Sequence, residues 1–283
     1  MGSDRRDAAL AARGRELLAE CKALRDDIGR AVDRSVISTA TGDFVPPIAG
    51  FGKPFATMTQ DQLASYTNYR YWLEALSARC LNPGHEQAII AYRLSHGGEL
   101  LGMTRFDDRL DDWPYWHHAT SLLAHDRAAH YLLGYYAHLA HHQTPGTFTA
   151  YEQVPIRGQP SRSESADYCV PSQLTIPLMT RWMLAWEERD ADVLWLCRAL
   201  PRAWLAGKVS FSNALTRFGP VALEMQPHDG LCRMTVRIVL PTQSTPTLVL
   251  RIPHPTRMRI SSACYTTAAF ESPTALGVTA RPR

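Results

Sequence analysis

The spacing of hydrophobic residues changes along this chain and separates a helical part from a strand-forming part. A spacing of four and three residues predicts one amphipathic helix over residues 5–34, whose apolar positions are Leu17, Cys21, Leu24, Ile28 and Ala31. A connector rich in proline and glycine follows over residues 38–54. Helical spacing then returns and predicts helices over residues 59–80, 85–94, 115–142, 171–186 and 190–200.

The period becomes two near the C-terminus, where apolar and polar residues alternate over residues 231–240 and again over residues 248–252. This alternation predicts half-buried antiparallel strands. Residues 213–219 are predicted to form a turn, and the tail after residue 262 has no strong periodicity. We therefore predict a mainly α protein with a C-terminal β part, divided into residues 1–54 (helix and connector), 55–207 (helical hairpins) and 208–283 (a β-sandwich-like region and tail).

The composition limits the function classes. The chain has 283 residues, 45% of them hydrophobic, and a formal net charge of +3 from 30 basic and 27 acidic residues. Without a polybasic run, neither a nucleic acid nor an anionic membrane is indicated as a partner. The polar N-terminus has no secretory signal, and the six cysteines form no Cys-x-x-Cys pair. These features predict a cytoplasmic protein with buried thiols.

Two segments, residues 104–118 and 147–173, concentrate polar and aromatic side chains in predicted loops. Aromatic faces stack on sugar rings, and Asp, Glu, Gln, Arg and His bond the hydroxyl groups, so this composition favours an oligosaccharide or glycoside as ligand. The predicted substrate-binding residues are Trp113, Tyr151, Gln153, Arg157, His96, Arg105 and Gln173.

Cleavage of a glycosidic bond needs two carboxyl groups, an acid with a raised pKa and a second group that stays ionised. Glu152, between Tyr151 and Gln153, is the predicted acid. Asp112 beside Trp113 is the predicted second group, with Asp111 and Asp167 as substitutes. The alternative interpretation is that these aspartates cap helices or form surface ion pairs.

Two further hypotheses, metal chemistry and esterase chemistry, are not favoured by the sequence. His138 and His142 stand four residues apart on a predicted helix, a spacing that can chelate a metal, but no acidic or cysteine ligand lies at a matching turn. Residues 95–98 suggest an oxyanion-hole loop, but the chain has no Gly-x-Ser-x-Gly. We therefore predict no metal site.

Four motifs resemble the closing helical hairpins of bacterial six-hairpin glycosidase-like proteins: Ser95–Gly102, Leu110–Pro114, Gly146–Gln153 and Asp167–Gln173. The run from Arg181 to Gly219 is similar to the transition in those proteins from an α/α toroid to a β-sandwich. The resemblance implies a partial α/α toroid followed by a small antiparallel β-sandwich, and action on glycosidic bonds without an organic cofactor.

The chain departs from that pattern in length. A closed toroid needs twelve helices, which exceeds the length available before residue 207. The resemblance therefore implies an open arc, a piece of a longer protein, or a toroid whose missing hairpins another chain supplies.

Three functions follow from this sequence. The first is a glycoside hydrolase that acts by two carboxyl groups. The second is a catalytically incomplete carbohydrate-binding module. The third is a helical interaction module whose aromatic face meets another chain, which includes a homo-oligomer.

Overall fold

A computed structural model describes most of the chain: residues 8–48, 50, 67–106, 108–157, 168–229, 233–240, 246–253, 260–268 and 274–282, the last two ranges as backbone only. The chain forms two compact units. Unit 1 comprises residues 1–125 and 137–173, and unit 2 comprises residues 126–136 and 174–283. The domain limits at residues 54 and 207 stay a prediction.

Helices and short strands alternate in the first half of the chain. The elements in order are α1 (Ala8–Asp33), β1 (Ile37–Thr39), β2 (Gly42–Phe44), a π-helical turn (Thr67–Tyr71), α2 (Trp72–Ala78), α3 (Pro83–Ser95), β3 (Glu99–Leu100), β4 (Met103–Phe106), β5 (Arg109–Asp111), α4 (Tyr115–Ala124), α5 (Ala128–His141) and β6 (Gln153–Pro155).

The helix predicted over residues 85–94 is confirmed as α3, and its first turn has a clear cause. The Asn82 side chain accepts a hydrogen bond of 2.9 Å from the His85 amide, and Pro83 occupies the first helical position. An asparagine cap followed by proline is a favoured helix start. The helix ends at Ser95, after which Gly97 adopts a positive φ of 72°.

A four-stranded antiparallel sheet lies in unit 1, in the order β3–β4–β5–β6. Leu101 and Gly102 both have positive φ between β3 and β4, which suits a tight hairpin turn. The loop predicted over residues 104–118 was therefore wrong in part, because β4 and β5 occupy its first half. Both strands are too short to show a period of two clearly.

The second half of the chain is rich in strands. It contains α6 (Val170–Leu184), β7 (Ala185–Glu187), β8 (Val193–Leu196), a 3-10 turn (Arg202–Ala206), β9 (Val209–Thr216), β10 (Gly219–His228), β11 (Arg233–Leu240), β12 (Thr247–Leu250), β13 (Ile260–Ala268) and β14 (Thr274–Pro282). Five strands form one antiparallel sheet in the order β13–β14–β11–β10–β9, and three form a mixed sheet in the order β12–β8–β7.

The core of unit 2 lies on one face of the long strands. Along β11 the residues alternate between buried and exposed, so that Met234, Val236 and Ile238 point inward. Val221, Leu223 and Met225 of β10 join the same cluster with Leu194 and Leu196 of β8. The alternation predicted for residues 231–240 is confirmed by this strand.

The predicted fold class is wrong. Neither an α/α toroid nor a β-sandwich is indicated, because the described strands form four separate small sheets, and one of them interrupts the helices of unit 1. The described chain is a mixed α and β structure. Residues 99–111 fold back on themselves as hairpins of short strands, with positive-φ glycines at nearby turns. A toroid needs paired helices at this place in the chain.

Three local expectations also fail. The helix predicted over residues 115–142 is two helices, α4 and α5, with Asp126 at a φ of 56° between them. The helix predicted after Asp190 is the strand β8. The strand at residues 247–250 pairs with β8 in parallel, not antiparallel.

A helix that spans a bilayer needs about 20 predominantly apolar residues. No helix in the described part of the chain is long enough and apolar enough to cross a membrane.

Candidate functional site

Four polar side chains form a row across one face of the four-stranded sheet in unit 1. The strand register places Glu99 opposite Thr104, Thr104 opposite Asp111, and Asp111 opposite Gln153. Directly opposed residues of antiparallel strands project from the same face. Glu99, Thr104 and Asp111 are buried and Gln153 is half-buried. A row of largely buried polar side chains is unusual in a small sheet and marks these four residues as a candidate site.

The opposite face of the same sheet is apolar. Met103, Leu110 and Val154 form a small core there with Ala137, and Tyr151 packs against it. A pocket of about 260 Å³ opens on this face between Leu101, Leu110, His141 and residues 154–156. The predicted sugar-stacking residue Tyr151 therefore contacts the face opposite to the polar row.

Asp111 is the central carboxyl group of the row. Its side chain has no exposed surface, and its Oδ2 atom accepts a hydrogen bond of 2.7 Å from Gln153 Nε2. The Tyr69 hydroxyl also hydrogen-bonds this carboxyl group. Burial, reinforced by the nearby charge of Glu152, raises the pKa of Asp111 to about 7, although both hydrogen bonds oppose the rise. Asp111 can therefore gain and lose a proton near neutral pH.

Glu152 is the second carboxyl group at this place. It is half-buried, and its Oε1 atom accepts a hydrogen bond of 3.1 Å from the Trp113 indole. The Arg70 guanidinium lies over the Trp113 ring, 5.3 Å from its centroid. The two acid-bearing segments predicted from the sequence thus meet, because β5 and β6 pair along residues 109–111 and 153–155.

Asp112 differs from Asp111 in its backbone role. Its amide lies 3.4 Å from the Glu152 carbonyl oxygen, and its own carbonyl oxygen accepts a hydrogen bond of 3.0 Å from the Tyr115 amide at the start of α4. Its side chain is fully buried. Asp112 therefore joins the strand to the helix, and Asp111, which the sequence offered only as a substitute, is the aspartate that hydrogen-bonds Gln153.

A buried ionic cluster continues the row at its other end. Glu99 Oε1 lies 2.8 Å from His118 Nε2 and 3.6 Å from Arg93 Nε. Arg93 also donates to Thr104 Oγ1 at 3.2 Å and to the side-chain oxygen of Asn68 at 3.0 Å. Burial lowers the pKa of Arg93, and the Glu99 carboxylate opposes that change. The arginine thus links α3, the π-helical turn and β4.

Aromatic rings surround this cluster. Tyr115 is fully buried with its ring 5.5 Å from that of His118 and 4.5 Å from that of His138. Burial raises the pKa of Tyr115 well above its usual value. His142 donates from Nε2 to the Leu110 carbonyl oxygen at 3.1 Å, and burial lowers its pKa well below the ordinary value. The His142 ring is therefore neutral.

His138 and His142, the pair whose spacing could chelate a metal, are both buried in this part of the chain. The rings of His138 and His142 lie 6.0 Å apart. His142 Nε2 donates its proton to the Leu110 carbonyl oxygen, so this nitrogen is not available as a metal ligand.

The other predicted binding residues lie elsewhere. His96 stacks on Tyr92 with ring centroids 3.7 Å apart, at the end of α3. Arg105 opposes Leu110 on the apolar face of the sheet. Arg157 is exposed beyond β6, and Gln173 is half-buried in the first turns of α6. Asp167, the third predicted catalytic residue, lies outside the described residues.

Sequence reasoning missed Tyr69, Arg93 and Glu99. Arg93 and Glu99 stand at the end of a helix and in a two-residue strand, where charged residues are usually solvated. The polar row depends on the register of four short strands, which no local pattern reveals.

Comparison with family models, with curated proteins and with solved structures finds no match for this chain.

Proposed function

We propose that this chain is a glycoside hydrolase in which Asp111 is the proton donor and Glu152 is the second carboxyl group. The observation that carries the proposal is the meeting of two unlike carboxyl groups at the β5–β6 pair. Asp111 is fully buried with a pKa raised to about 7, whereas Glu152 is half-buried. Two carboxyl groups whose surroundings differ in this way are typical of acid and base pairs in glycosidases.

Asp111 suits the donor role because a substantial fraction of it carries a proton at neutral pH. Burial disfavours its charged form, and Glu152 adds a repulsive charge. The Gln153 amide and the Tyr69 hydroxyl fix the direction of the carboxyl group. A general acid is most effective when its pKa lies near the working pH.

Glu152 suits the second role because it accepts a hydrogen bond from the Trp113 indole and retains exposed surface. The half-buried ring of Trp113 offers an apolar face to a sugar, and Arg70 lies over that ring. In this proposal the substrate approaches from the side of Glu152 and Trp113.

The reaction would break the bond between the anomeric carbon and the leaving oxygen. Asp111 gives its proton to that oxygen as the bond breaks, and an oxygen atom of water becomes bonded to the anomeric carbon. The proton lost by water returns to a carboxylate, so no oxidant or cofactor is consumed. The stereochemistry of the product distinguishes direct attack by water from a covalent intermediate on Glu152.

The test is hydrolysis of a panel of 4-nitrophenyl glycosides and oligosaccharides by the wild-type chain and matched variants. We expect Asp111→Asn and Glu152→Gln each to lower kcat/KM by about 10²–10⁴-fold. Asp108→Asn is the control, because the Asp108 side chain is 80% exposed and lies in the same hairpin. A wild-type rate in the Asp111 and Glu152 variants, or no hydrolysis by the wild type, would overturn the proposal.

A second candidate is a carbohydrate-binding module without chemistry. The complete burial of Asp111 favours it, since a carboxyl group without exposed surface does not touch a ligand in this conformation. Calorimetry with the same oligosaccharides separates the two functions. Binding by wild type without turnover would select the second candidate.

We also propose that the chain acts in the cytoplasm. Among the cysteines whose side chains are described, Cys21, Cys169 and Cys197 are free thiols. Free thiols are usual in a reducing compartment. Fractionation of cells that express the chain, followed by detection of it in each compartment, tests this location.

A further inference from the structure

The helix α1 presents an apolar stripe to solvent. None of its 26 residues is buried, and Leu17, Leu18 and Leu24 are 44%, 72% and 61% exposed. Near its end the helix meets the rest of unit 1: Ile28, Ala31 and Val32 are half-buried, and Asp33 Oδ1 accepts a hydrogen bond of 3.1 Å from Asn82 Nδ2. Association would remove these leucine side chains from water, so an apolar surface of this kind favours it.

The stripe has the spacing of a coiled coil. The residues of α1 at alternating intervals of four and three are Leu10, Gly14, Leu17, Cys21, Leu24, Ile28 and Ala31. In heptad notation Gly14, Cys21 and Ile28 occupy the a positions, and the leucines with Ala31 occupy the d positions. Leucine at d suits a parallel two-stranded coiled coil.

The flanking residues indicate which partner fits. In a parallel pair each g residue meets the e residue five positions later on the other helix. Glu20 then faces Arg25 of a second copy, in both directions across the symmetric pair. The other g positions, Arg13 and Asp27, face the apolar residues Leu18 and Val32, so no pair brings like charges together.

The charge of the helix argues against a membrane as the partner. Residues 8–33 contain five basic and five acidic side chains, so the helix has no net charge to attract anionic lipid. The Glu20–Arg25 pairing, which a symmetric pair forms twice, points to a second copy of the same helix.

We propose that α1 joins two copies of this chain as a parallel, in-register coiled coil. This proposal is independent of the proposed function. Gly14 at an a position leaves a gap in the seam and weakens the helix, so the pair is a reversible dimer.

The first test measures the mass of the full-length chain by sedimentation over a range of micromolar concentrations. We expect a monomer–dimer equilibrium in which Leu17→Glu or Leu24→Glu raises the Kd by at least about tenfold, the equivalent of about 1.4 kcal/mol. Ala19→Glu and Ala23→Glu are the controls, because they place the same charge on the outer face and leave the Kd unchanged. A monomer at every concentration, or equal effects of both pairs of variants, would overturn the proposal.

The second test determines the orientation. In a chain with Cys21→Ser, the substitution Gly14→Cys places two thiols together only if the helices are parallel and in register. We expect rapid disulfide cross-linking of Gly14→Cys, and none above the Cys21→Ser background for Ala12→Cys on the outer face. A dimer in which Gly14→Cys does not cross-link would overturn the parallel arrangement.

Discussion

Gln153 donates a hydrogen bond of 2.7 Å from its Nε2 atom to Oδ2 of Asp111, and the two residues oppose each other across the β5–β6 pair. This contact ties together segments that are 42 residues apart in the sequence. It also opposes the effect of burial on Asp111, because an amide donor stabilises the charged carboxylate. The pKa of about 7 therefore already includes the lowering effect of this hydrogen bond.

The first prediction concerns stability and pH. The pKa of Asp111 is about 7 in the folded chain against about 3.9 in an unfolded one. Between these values the folded chain holds a proton that the unfolded chain has lost, so this group lowers the free energy of unfolding as pH rises, by at most about 1.4 kcal/mol per pH unit. Asparagine stays neutral, so we expect Asp111→Asn to become more stable relative to wild type as pH rises from 4 to 7.

Urea denaturation at several pH values measures that difference. Asp108→Asn is the control, since the Asp108 side chain is 80% exposed, and its difference from wild type is expected to be small and nearly constant. A constant difference between wild type and Asp111→Asn would contradict the raised pKa.

The second prediction concerns two histidines. Burial lowers the pKa of His117 to about 4 and that of His142 well below its ordinary value. Both rings are expected to stay neutral at pH 6, and both lower the stability as pH falls below about 6.5, because the unfolded chain then binds protons that the folded chain excludes. NMR titration of the ring carbon resonances checks this, with His117→Gln and His142→Gln to assign the signals. Protonation of either ring above pH 6 would contradict it.

The third prediction concerns the buried arginine. Arg93→Met removes donors to Asn68 and Thr104 and leaves Glu99 buried without its guanidinium partner. We expect a loss of about 3–5 kcal/mol in the free energy of unfolding.

Urea denaturation of Lys208→Met provides the comparison. The ion pair between Lys208 and Glu224 is about half exposed on both sides, with side-chain exposures of 50% and 48%. Its loss is expected to cost less than about 1 kcal/mol. Equal losses in the two variants would show that Arg93 is solvated in the folded chain.

The fourth prediction tests the sheet of unit 2. Ile238 of β11 is fully buried in the core formed with β10, whereas Leu215 of β9 is 67% exposed. We expect Ile238→Ala to cost about 2–5 kcal/mol through lost burial and the cavity left behind. Leu215→Ala is expected to lie within about 0.5 kcal/mol of wild type. Thermal or urea unfolding measures both, and similar values would argue against the assigned faces of this sheet.

The sequence predicted those elements whose signal is local. The apolar stripe of α1, the helix predicted over residues 85–94 and the alternation along β11 each lie within one segment, and the structure has each of them. The assignment of residues 190–200 as a helix failed because Val193–Leu196 becomes a strand through parallel pairing with residues 247–250. No pattern within the segment encodes that partner.

For the candidate site, too, the sequence predicted some of the residues and missed others. Glu152, Trp113 and Gln153 meet near the Asp111-Asp112 pair as expected, because β5 and β6 pair directly. No local pattern distinguishes Asp111 from Asp112, since adjacent strand residues point to opposite faces and the register decides which of them faces Gln153. Glu99 was missed for the same reason.

The polar row on the four-stranded sheet has a consequence for how the chain tolerates change in length. Each strand contributes one member of the row, and the turn at Leu101-Gly102 fixes the match between the first two. One amino acid added inside β4 between Thr104 and Phe106 would turn the remainder of that strand over, so that Arg105 and Phe106 exchange faces. Single-residue insertions in these short strands are therefore more damaging to the site than most single substitutions.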